Sequence, residues 1–258
     1  MENSRIRPRF ELTDRVAIVT GSSKGIGEAM ARGLAEFGAK VVVSSRNQEA
    51  VDAVAAAYRS DGLEATGIAC HVAEAEDRRR LIERTLATYG RLDILINNAA
   101  TNPYFGPVEG LTADAYQKTI DVNLTAALEL SNLALPHLRK SGNGAVIHIS
   151  SIEGLHANPN FAAYNISKAG IIMLGKSQAR EWATDKIRVN VICPGLVKTK
   201  LSRALWENED LARQFTNMIP LNRMADPDEI AGLAVWLASD AASYVTGATF
   251  VADGGMLG

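Results

Sequence analysis

The sequence predicts a single α/β domain with a seven-stranded parallel sheet and helices on both faces. Seven short apolar runs alternate along the chain with segments whose apolar residues recur at helical spacing. This alternation is typical of a doubly wound parallel sheet. The 258 residues suit one large domain. Since no linker or repeat interrupts residues 12–258, we expect them to form one unit, preceded by a flexible arm at residues 1–11.

Composition argues against several classes of protein. Hydrophobic residues make up 47% of the chain and charged residues 22%, which are ordinary values for a globular domain. A net charge of −2 favours neither nucleic acid nor an anionic membrane as a partner. No apolar run reaches the length of a membrane span, and the N-terminus lacks a secretory apolar core. The two cysteines are predicted to be buried free thiols, and the four histidines show no metal-binding spacing, so we expect a cytoplasmic protein without a metal site.

The first predicted strand leads into a glycine-rich turn. Residues 15–20 form a short apolar run, and the segment that follows reads Gly21-Ser22-Ser23-Lys24-Gly25-Ile26-Gly27. An apolar stripe at helical spacing then extends as far as Gly38. A strand, a glycine turn and a helix in this order bring backbone N–H groups and a helix N-terminus close to a pyrophosphate, as in Rossmann-type dinucleotide sites. The spacing here is Gly-x-x-x-Gly-x-Gly, and its place between strand and helix supports such a site.

The second strand, at residues 40–45, ends at the position that selects the cofactor. An acidic side chain there would hold the ribose 2′-hydroxyl of NAD. This chain has Ser45 followed by Arg46, and Lys24 adds a second cation from the glycine turn. Two cations without a carboxylate suit a 2′-phosphate, although both could simply be exposed side chains. Because the acid is missing as well, we predict NADP(H) in preference to NAD(H).

The remaining elements continue the alternation. Helices are predicted at 47–61, 74–89, 112–140, 162–184 and 227–238, and strands at 64–70, 92–96, 145–150, 187–193 and 248–252. Pro136 is expected to kink or end the long helix. Residues 199–218 are polar and mixed, which indicates a helical flap.

The stretch from residue 144 to 168 carries the candidate chemistry. A buried strand ends at Ser151, and after a loop a helix opens with Tyr164 and Lys168. Four residues apart, these two side chains lie on one helix face. A nearby ammonium favours the phenolate and lowers the pKa of a tyrosine, so Tyr164 could exchange a proton at neutral pH, while Ser151 could hold a substrate oxygen. Tyrosine and lysine share this spacing by chance on many helices, so the pair gains weight from the glycine turn.

With these motifs in order, residues 12–255 resemble the short-chain dehydrogenase/reductase family. The residues that carry the resemblance are Thr20, Gly21, Gly25, Gly27, Asn97, Asn98, Ala99, Asn123, Ser151, Tyr164, Lys168, Pro194 and Gly195. Within the family, four segments are similar to those of the NADPH-dependent carbonyl and retinal reductase group: Cys70-His71-Val72, Asn98 to Pro103, Ser150-Ser151-Ile152 and Pro194 to Thr199.

The resemblance implies a role for each matching position. Tyr164 would exchange a proton with the substrate, Lys168 would lower its pKa and bind the nicotinamide ribose, and Ser151 would hold the substrate oxygen. Asn123 would seat a water that links Lys168 to solvent. The dinucleotide would be bound by Gly21, Ser23, Lys24, Gly25, Ile26, Gly27, Ser45, Arg46, His71, Val72, Asn98, Ala99, Ala100, Tyr164, Lys168, Pro194, Gly195, Val197 and Thr199.

Two positions depart from the family pattern. Ala100 stands where glycine is usual, and its methyl group would narrow the pocket slightly. His71 stands where an aspartate usually contacts the adenine amine. A histidine cannot replace an ionised carboxylate there, so we expect backbone at Val72 to hold the adenine.

The substrate pocket is expected between the loops after Asn98 and Ser151 and the flap. Its candidate residues are Tyr104, Phe105, Glu153, Leu155, His156, Leu201, Trp206 and Met218. This mostly apolar and aromatic set suits a hydrophobic ketone, aldehyde or diketone. Glu153 and His156 are candidate specificity groups, or else they point to solvent.

Two alternatives to an NADP(H)-dependent carbonyl reductase stay open. A 3-oxoacyl thioester reductase would need a basic docking patch, which Lys198, Lys200, Arg203 and Arg213 could supply. A non-catalytic dinucleotide-binding regulatory protein could share the scaffold, although such proteins typically lose a catalytic residue.

The family resemblance also implies a homotetramer, a dimer of dimers with two-fold symmetry. The predicted helices at 112–140 and 162–184 would pair across its interface. They carry apolar residues on more than one face, namely Leu124, Leu128, Leu133, Leu135, Ile171, Ile172, Leu174 and Trp182.

Overall fold

A computed structural model describes residues 5–199, 202, 206, 207 and 209–258 of the chain. Its strands are β1 (Val16–Thr20), β2 (Lys40–Ser45), β3 (Ala65–Ala69), β4 (Ile94–Asn97), β5 (Gly144–Ile149), β6 (Ile187–Pro194) and β7 (Thr249–Ala252). Its helices are α1 (Gly25–Glu36), α2 (Gln48–Ser60), α3 (Ala75–Tyr89), α4 (Ala113–Ile120), α5 (Ala126–Ser141), α6 (Ala162–Trp182), α7 (Glu209–Thr216) and α8 (Pro227–Ala238). The predicted strand bounds agree with these to within two residues.

The seven strands form one parallel sheet in the order β3-β2-β1-β4-β5-β6-β7. This confirms the predicted fold class. The chain winds outward from β1 in one direction and from β4 in the other, so the order reverses between these two central strands. In such sheets a crevice forms at the carboxyl ends of the strands at that reversal, and ligands bind there.

Both faces of the sheet are buried, which explains why the strands read as continuous apolar runs. Successive residues of β1 illustrate this. Val19 packs in a core with α1, α2 and α8, and Ile18, one position earlier, packs in a second core with α3 and α5. Since side chains alternate along a strand, each strand contributes to both cores.

The long helix predicted at 112–140 is two helices joined by a π-helical turn at Asp121–Thr125. Pro136 was predicted to kink or end this helix. The second alternative is wrong, because α5 continues through Pro136 to Ser141 and stops at Gly142, where φ is 76°. A proline weakens a helix locally, but packing of the apolar face outweighs that cost here. The true interruption lies at Asn123, and π turns occur frequently at functional sites.

The flap predicted at 199–218 is described in part, and it contains the helix α7. Lys200, Leu201 and Arg203 lie outside the described residues. Among the residues predicted to pair helices between subunits, Ile171, Ile172 and Trp182 are instead buried in the cores of the domain. These positions face the sheet, so their apolar character is explained by the fold.

Three arginines bind backbone carbonyls at and just after the end of α8, and two of them, Arg9 and Arg15, come from the N-terminal region. Residues 7–10 form a 3-10 turn, and Arg9 donates to the backbone carbonyl of Asp240. Arg15 and the buried Arg188 donate to the last carbonyls of α8. Cations at a helix C-terminus stabilise its unpaired carbonyls. The flexibility predicted for residues 1–11 stays a prediction, but its described part carries this contact.

Cys70 and Cys193 are buried and unbonded in the described chain, as predicted. Burial raises the pKa of the Cys70 thiol to about 12. None of the described helices is long and apolar enough to cross a membrane. The described residues also contain no group of three or more side chains placed to hold a metal ion.

Candidate active site

The glycine turn lies at the carboxyl end of β1, at the reversal of strand order. Gly21 and Gly25 adopt φ angles of +66° and +64°, which side chains with a Cβ rarely tolerate. Ser22 ties the turn to β2, since its hydroxyl donates to the Val19 carbonyl at 2.6 Å and accepts from the backbone N–H of Ser44 at 2.8 Å. The turn thus holds the N-terminus of α1 beside the end of β2.

Gly27 allows α1 to approach this turn closely. A Cβ atom at Gly27 would lie 2.4 Å from the Asn98 amide nitrogen and 2.4 Å from the Gly21 carbonyl oxygen. The Asn98 side chain donates to the backbone carbonyls of Thr20 at 2.8 Å and Gly21 at 3.2 Å. Asn98 therefore fixes the turn from the end of β4, in addition to its expected place near the adenine-side ribose.

The predicted adenine segment is held from behind by α3. The backbone N–H of His71 donates to Asp77 at 2.8 Å, and the Arg78 guanidinium donates to the carbonyl of Val72. The ring atom Nδ1 of His71 is buried and has no hydrogen-bond partner among the described residues. An orphaned buried polar atom in the segment expected at the adenine fits a dinucleotide that would complete it.

The cationic candidates for the 2′-phosphate follow two adjacent strands. Thr20 at the end of β1 pairs with Ser44, so the turn carrying Lys24 lies next to Ser45 and Arg46 after β2. Lys24 and Arg46 are both exposed, and Ser45 is half-buried.

The nicotinamide-side segment leaves β6 and turns toward the same cradle. Gly195 donates its backbone N–H to the Ala252 carbonyl at 2.9 Å, and Val197 is buried beside Ala225. Thr199 lies against the glycine turn, since its Cγ2 would be 3.4 Å from a Cβ at Gly25. The structure thus brings together the cofactor-binding segments that the sequence placed far apart.

The candidate catalytic side chains meet between β5 and α6. Ser151 follows β5 directly, and Tyr164 lies in the first turn of α6. The two side chains lie close enough for Ser151 to lower the pKa of Tyr164. The ammonium of Lys168 lies 5.5 Å from the centre of the Tyr164 ring and donates to the Ile149 carbonyl at 2.8 Å. Lys168 is 2% exposed, so its charge lies inside the protein.

Asn123 fastens the loop after β4 to α6. Its side chain accepts from the backbone N–H of Thr101 at 2.7 Å and donates to the Thr101 carbonyl at 2.9 Å. It also donates to the hydroxyl of Ser167 at 3.0 Å. The side chain is therefore engaged on two sides, and Asn123 positions the loop that borders the catalytic residues.

Burial dominates the protonation of the catalytic pair. It raises the pKa of Tyr164 to about 12, with the Ser151 hydrogen bond lowering it and the Glu153 charge raising it. Burial also lowers the pKa of Lys168 to about 8. Burial therefore shifts the pKa of Tyr164 in the direction opposite to the one expected from the sequence. Tyr164 is consequently a neutral phenol at pH 7, the form that donates a proton.

Two aromatic rings lie close to Tyr164. The rings of Phe105 and Phe161 meet edge to face with centroids 4.9 Å apart, and Phe161 lies 6.2 Å from Tyr164. Phe161 was not predicted, although its position three residues before Tyr164 could have indicated a contact on one helix face. Phe105 is 66% exposed, which leaves it available to a substrate.

The other substrate candidates lie around this aromatic group or beyond it. Trp206 donates its indole N–H to the Thr199 carbonyl at 3.1 Å, so the flap is attached to the nicotinamide segment. Tyr104 uses its hydroxyl on the Pro107 carbonyl at 2.7 Å. Leu155, His156 and Met218 are exposed, and Leu201 lies outside the described residues.

A buried polar chain that the sequence did not indicate supports the floor of the site. His148 in β5 is fully buried, with Nε2 2.8 Å from the side-chain oxygen of Gln178 and Nδ1 3.3 Å from the amide of Asn97. Burial lowers the pKa of His148 to about 4, so the ring is neutral at pH 7. The chain links the ends of β4 and β5 to α6.

Known proteins share both this sequence and this fold. The family described as enoyl-(acyl carrier protein) reductase matches residues 21–257. Human dehydrogenase/reductase SDR family member 4 is 42% identical over 255 residues, which cover 99% of this chain and 92% of that protein. The protein of the same name from Caenorhabditis elegans is 40% identical, with 96% of each chain covered.

Solved structures agree with these relatives. A gluconate 5-dehydrogenase from Burkholderia cenocepacia, in complex with NADP and tartrate, superposes with a TM-score of 0.92 at 34% identity, covering 96% of this chain and 97% of that one. A putative NAD(P)-dependent gluconate 5-dehydrogenase from Beutenbergia cavernae, with bound NADP, gives 0.91 at 36% identity, covering 96% and 99%. Together with the strand order and the Ser151–Tyr164–Lys168 site, these similarities show that the chain belongs to the short-chain dehydrogenase/reductase family of oxidoreductases.

Proposed function

We propose that this protein is an NADP(H)-dependent reductase of ketones, aldehydes or diketones, with Tyr164 as the general acid. The observation that carries the proposal is the convergence of Ser151, Tyr164 and the buried Lys168, whose ammonium lies 5.5 Å from the centre of the Tyr164 ring. Burial keeps Tyr164 in its neutral form. The bound nicotinamide supplies the hydride. The experiment that tests the proposal is the oxidation of NADPH with a panel of hydrophobic ketones and diketones, followed by the Tyr164 substitution described in the Discussion.

The protein's own residues divide the remaining work of carbonyl reduction. The Ser151 hydroxyl would hold the substrate oxygen next to the Tyr164 hydroxyl, and Tyr164 would donate its proton as negative charge develops on that oxygen. Lys168 would then stabilise the phenolate that this transfer leaves, since a positive charge 5.5 Å from the ring centre favours the anion. In the oxidative direction the phenolate would take the proton back from the alcohol.

Cofactor preference gives the first testable prediction. Arg46→Ala is expected to raise the Kd for NADPH by about 10- to 100-fold, because a charge-assisted hydrogen bond contributes roughly 1.5–3 kcal/mol. The Kd for NADH should change little, since NADH lacks the 2′-phosphate. Fluorescence titration of both nucleotides measures the two constants. Arg84→Ala, which removes an exposed arginine on α3, is the matched control and should leave both constants unchanged.

The proposal that the protein binds NADP(H) has support outside this chain, because both gluconate 5-dehydrogenase structures contain NADP. Tighter binding of NADH than NADPH by the wild type would contradict the assignment of Lys24, Ser45 and Arg46.

A 3-oxoacyl thioester reductase is the second candidate. The matching family is described as enoyl-(acyl carrier protein) reductase, a name that points to an acyl thioester on a carrier protein but to a carbon–carbon double bond rather than a 3-oxo group. Of the basic residues proposed for docking, Lys198 and Arg213 are exposed, while Lys200 and Arg203 lie outside the described residues. Comparing kcat/KM for a 3-oxoacyl-CoA with that for a hydrophobic diketone discriminates the two, and absence of any rate with the thioester removes the candidate. A non-catalytic regulatory role would require that the protein bind a dinucleotide without turning over any carbonyl compound.

We also propose that the protein forms a homotetramer through α4, α5 and α6. Large apolar side chains remain exposed on these helices: Tyr116 at 37%, Leu128 at 40%, Ile166 at 50% and Met173 at 61%. Ile166 and Met173 are seven residues apart and so share one face of α6. Apolar side chains gathered on paired helices suit an interface between identical subunits.

Met173→Glu is expected to reduce the molecular mass in solution to that of a dimer or monomer, because a charge would be buried at the helix interface. Light scattering coupled to size exclusion measures the mass. Ile6→Glu, which alters an exposed apolar residue on the N-terminal segment, is the control and should leave the mass unchanged. A monomeric wild type would refute the proposed assembly.

A further inference from the structure

Glu153 occupies a fixed position beside the reacting groups. It belongs to the 3-10 turn Ile152–Gly154 that follows Ser151, and its backbone N–H donates to the Ser151 hydroxyl at 3.1 Å. The turn is pressed against α6, because a Cβ at Gly154 would lie 2.6 Å from the Lys168 carbonyl carbon and 2.7 Å from its oxygen. Glu153 is therefore placed by the same elements that place the catalytic residues.

The carboxylate of Glu153 is oriented by an asparagine and has no cationic partner among the residues that the structure describes. The Asn158 amide donates to its Oε1 at 2.6 Å, and the Asn158 backbone N–H lies 3.4 Å from its Oε2. Asn158 is itself held by Asn165, whose amide donates to the Asn158 carbonyl at 3.1 Å. One carboxylate oxygen is thus well satisfied, and the other keeps most of its capacity to accept a hydrogen bond.

The charge of Glu153 reaches the reaction centre. The backbone N–H of Glu153 contacts the Ser151 hydroxyl at 3.1 Å, and the Glu153 charge raises the pKa of Tyr164, after the larger effects of burial and Ser151. Phe105 and Phe161 also lie near Tyr164, with the Phe161 ring 6.2 Å from the Tyr164 ring. A carboxylate together with aromatic rings attracts a positive charge and repels a negative one.

Building on the proposed carbonyl reductase activity, we propose that Glu153 is a specificity-determining residue that selects the charge of the substrate. It disfavours substrates with a carboxylate next to the carbonyl and favours those with an ammonium group at that position. The structural relative from Burkholderia cenocepacia, by contrast, was solved in a complex that contains tartrate, a dicarboxylate.

Three ketones with one skeleton test the proposal. Phenacyltrimethylammonium, α-hydroxyacetophenone and benzoylformate present a permanent ammonium, a hydroxyl and a carboxylate, respectively, beside the same aryl ketone. The measured quantity is the ratio of kcat/KM for the ammonium compound to kcat/KM for the carboxylate compound. Since every substrate uses the same proton donor, a change in the pKa of Tyr164 largely cancels in this ratio.

Glu153→Gln keeps the shape of the side chain and removes its charge. We expect the ratio to fall by about 30-fold or more, as a full charge is lost at short range from the substituent. Glu109→Gln, which neutralises an exposed carboxylate on the nearby turn at 108–110, controls for the net charge of the protein and should leave the ratio unchanged.

The outcomes separate this inference from the function on which it rests. A wild type that reduces these ketones with a ratio well above one, and a ratio that falls in Glu153→Gln alone, supports it. If the ratio of the two kcat/KM values in Glu153→Gln stays within about twofold of wild type, the role of Glu153 is refuted, but the proposed reductase activity is not. A wild type that reduces none of the three ketones with NADPH or NADH overturns both.

Discussion

Tyr164→Phe is expected to lower kcat for carbonyl reduction by about 10²- to 10⁴-fold, the usual contribution of a positioned general acid. The substitution removes one hydroxyl group and keeps the ring beside Phe161 and Lys168. Because the ring remains, the packing of α6 and the Kd for NADPH should change little. The loss should therefore appear in turnover rather than in folding or cofactor binding.

Steady-state NADPH oxidation, nucleotide titration and thermal unfolding on one preparation measure the three quantities together. Tyr244→Phe is the matched control, since Tyr244 is fully exposed and lies outside the site. Its kcat should equal that of wild type. A Tyr164→Phe variant that retains kcat within about tenfold would refute the role of Tyr164 as the proton donor.

Gly27→Ala is expected to destabilise the protein by at least about 1–3 kcal/mol and to weaken dinucleotide binding strongly. On propensity alone an alanine in a helix would be favoured by roughly 1 kcal/mol over glycine. The added Cβ, however, would lie 2.4 Å from both the Asn98 amide nitrogen and the Gly21 carbonyl oxygen. The steric conflict outweighs the helix propensity, so the substitution lowers the free energy of unfolding. It also moves α1 away from the turn that would receive the pyrophosphate.

Gly232→Ala in α8 provides the opposite case in the same kind of helix. A Cβ there would meet no atom within 4 Å, so the substitution should be neutral or slightly stabilising. Urea unfolding and NADPH titration of both variants measure the contrast. Gly27→Ala with wild-type stability and wild-type affinity would show that α1 can shift without cost, contrary to the close contact described here.

The sequence specified the sheet closely because buried parallel strands leave a direct signal in the chain. A run such as Lys40–Ser45 is apolar and β-branched between turn residues, and its bounds were predicted without error. The helix at 112–140 was harder. Its apolar pattern continues across Asp121–Thr125, so the periodicity did not reveal the π turn. Pro136 indicated a kink or an end, but the helix continues through it.

The catalytic residues could be predicted because they lie in motifs, whereas their environment could not. The pKa of Tyr164 depends first on burial and then on Ser151 and Glu153, and none of these effects is visible in a spacing of four residues. The clamp that Asn123 forms with Thr101 and the neutral histidine at position 148 depend on contacts between distant segments. Long-range hydrogen bonds of this kind leave no local pattern in the sequence.

The strand order has a consequence for how the chain acquires its fold on the ribosome. β1 is made first but lies in the middle of the sheet, and one of its two neighbours, β4, begins at Ile94, 74 positions after β1 ends at Thr20. At a translation rate of roughly 5–20 residues per second, the edge of β1 that pairs with β4 stays unpaired for about 4–15 s during synthesis. An apolar strand edge left open in a nascent chain is a site for misassociation. The yield of folded protein is therefore expected to depend on whether the unpaired edge of β1 is protected from other chains until β4 has been synthesised.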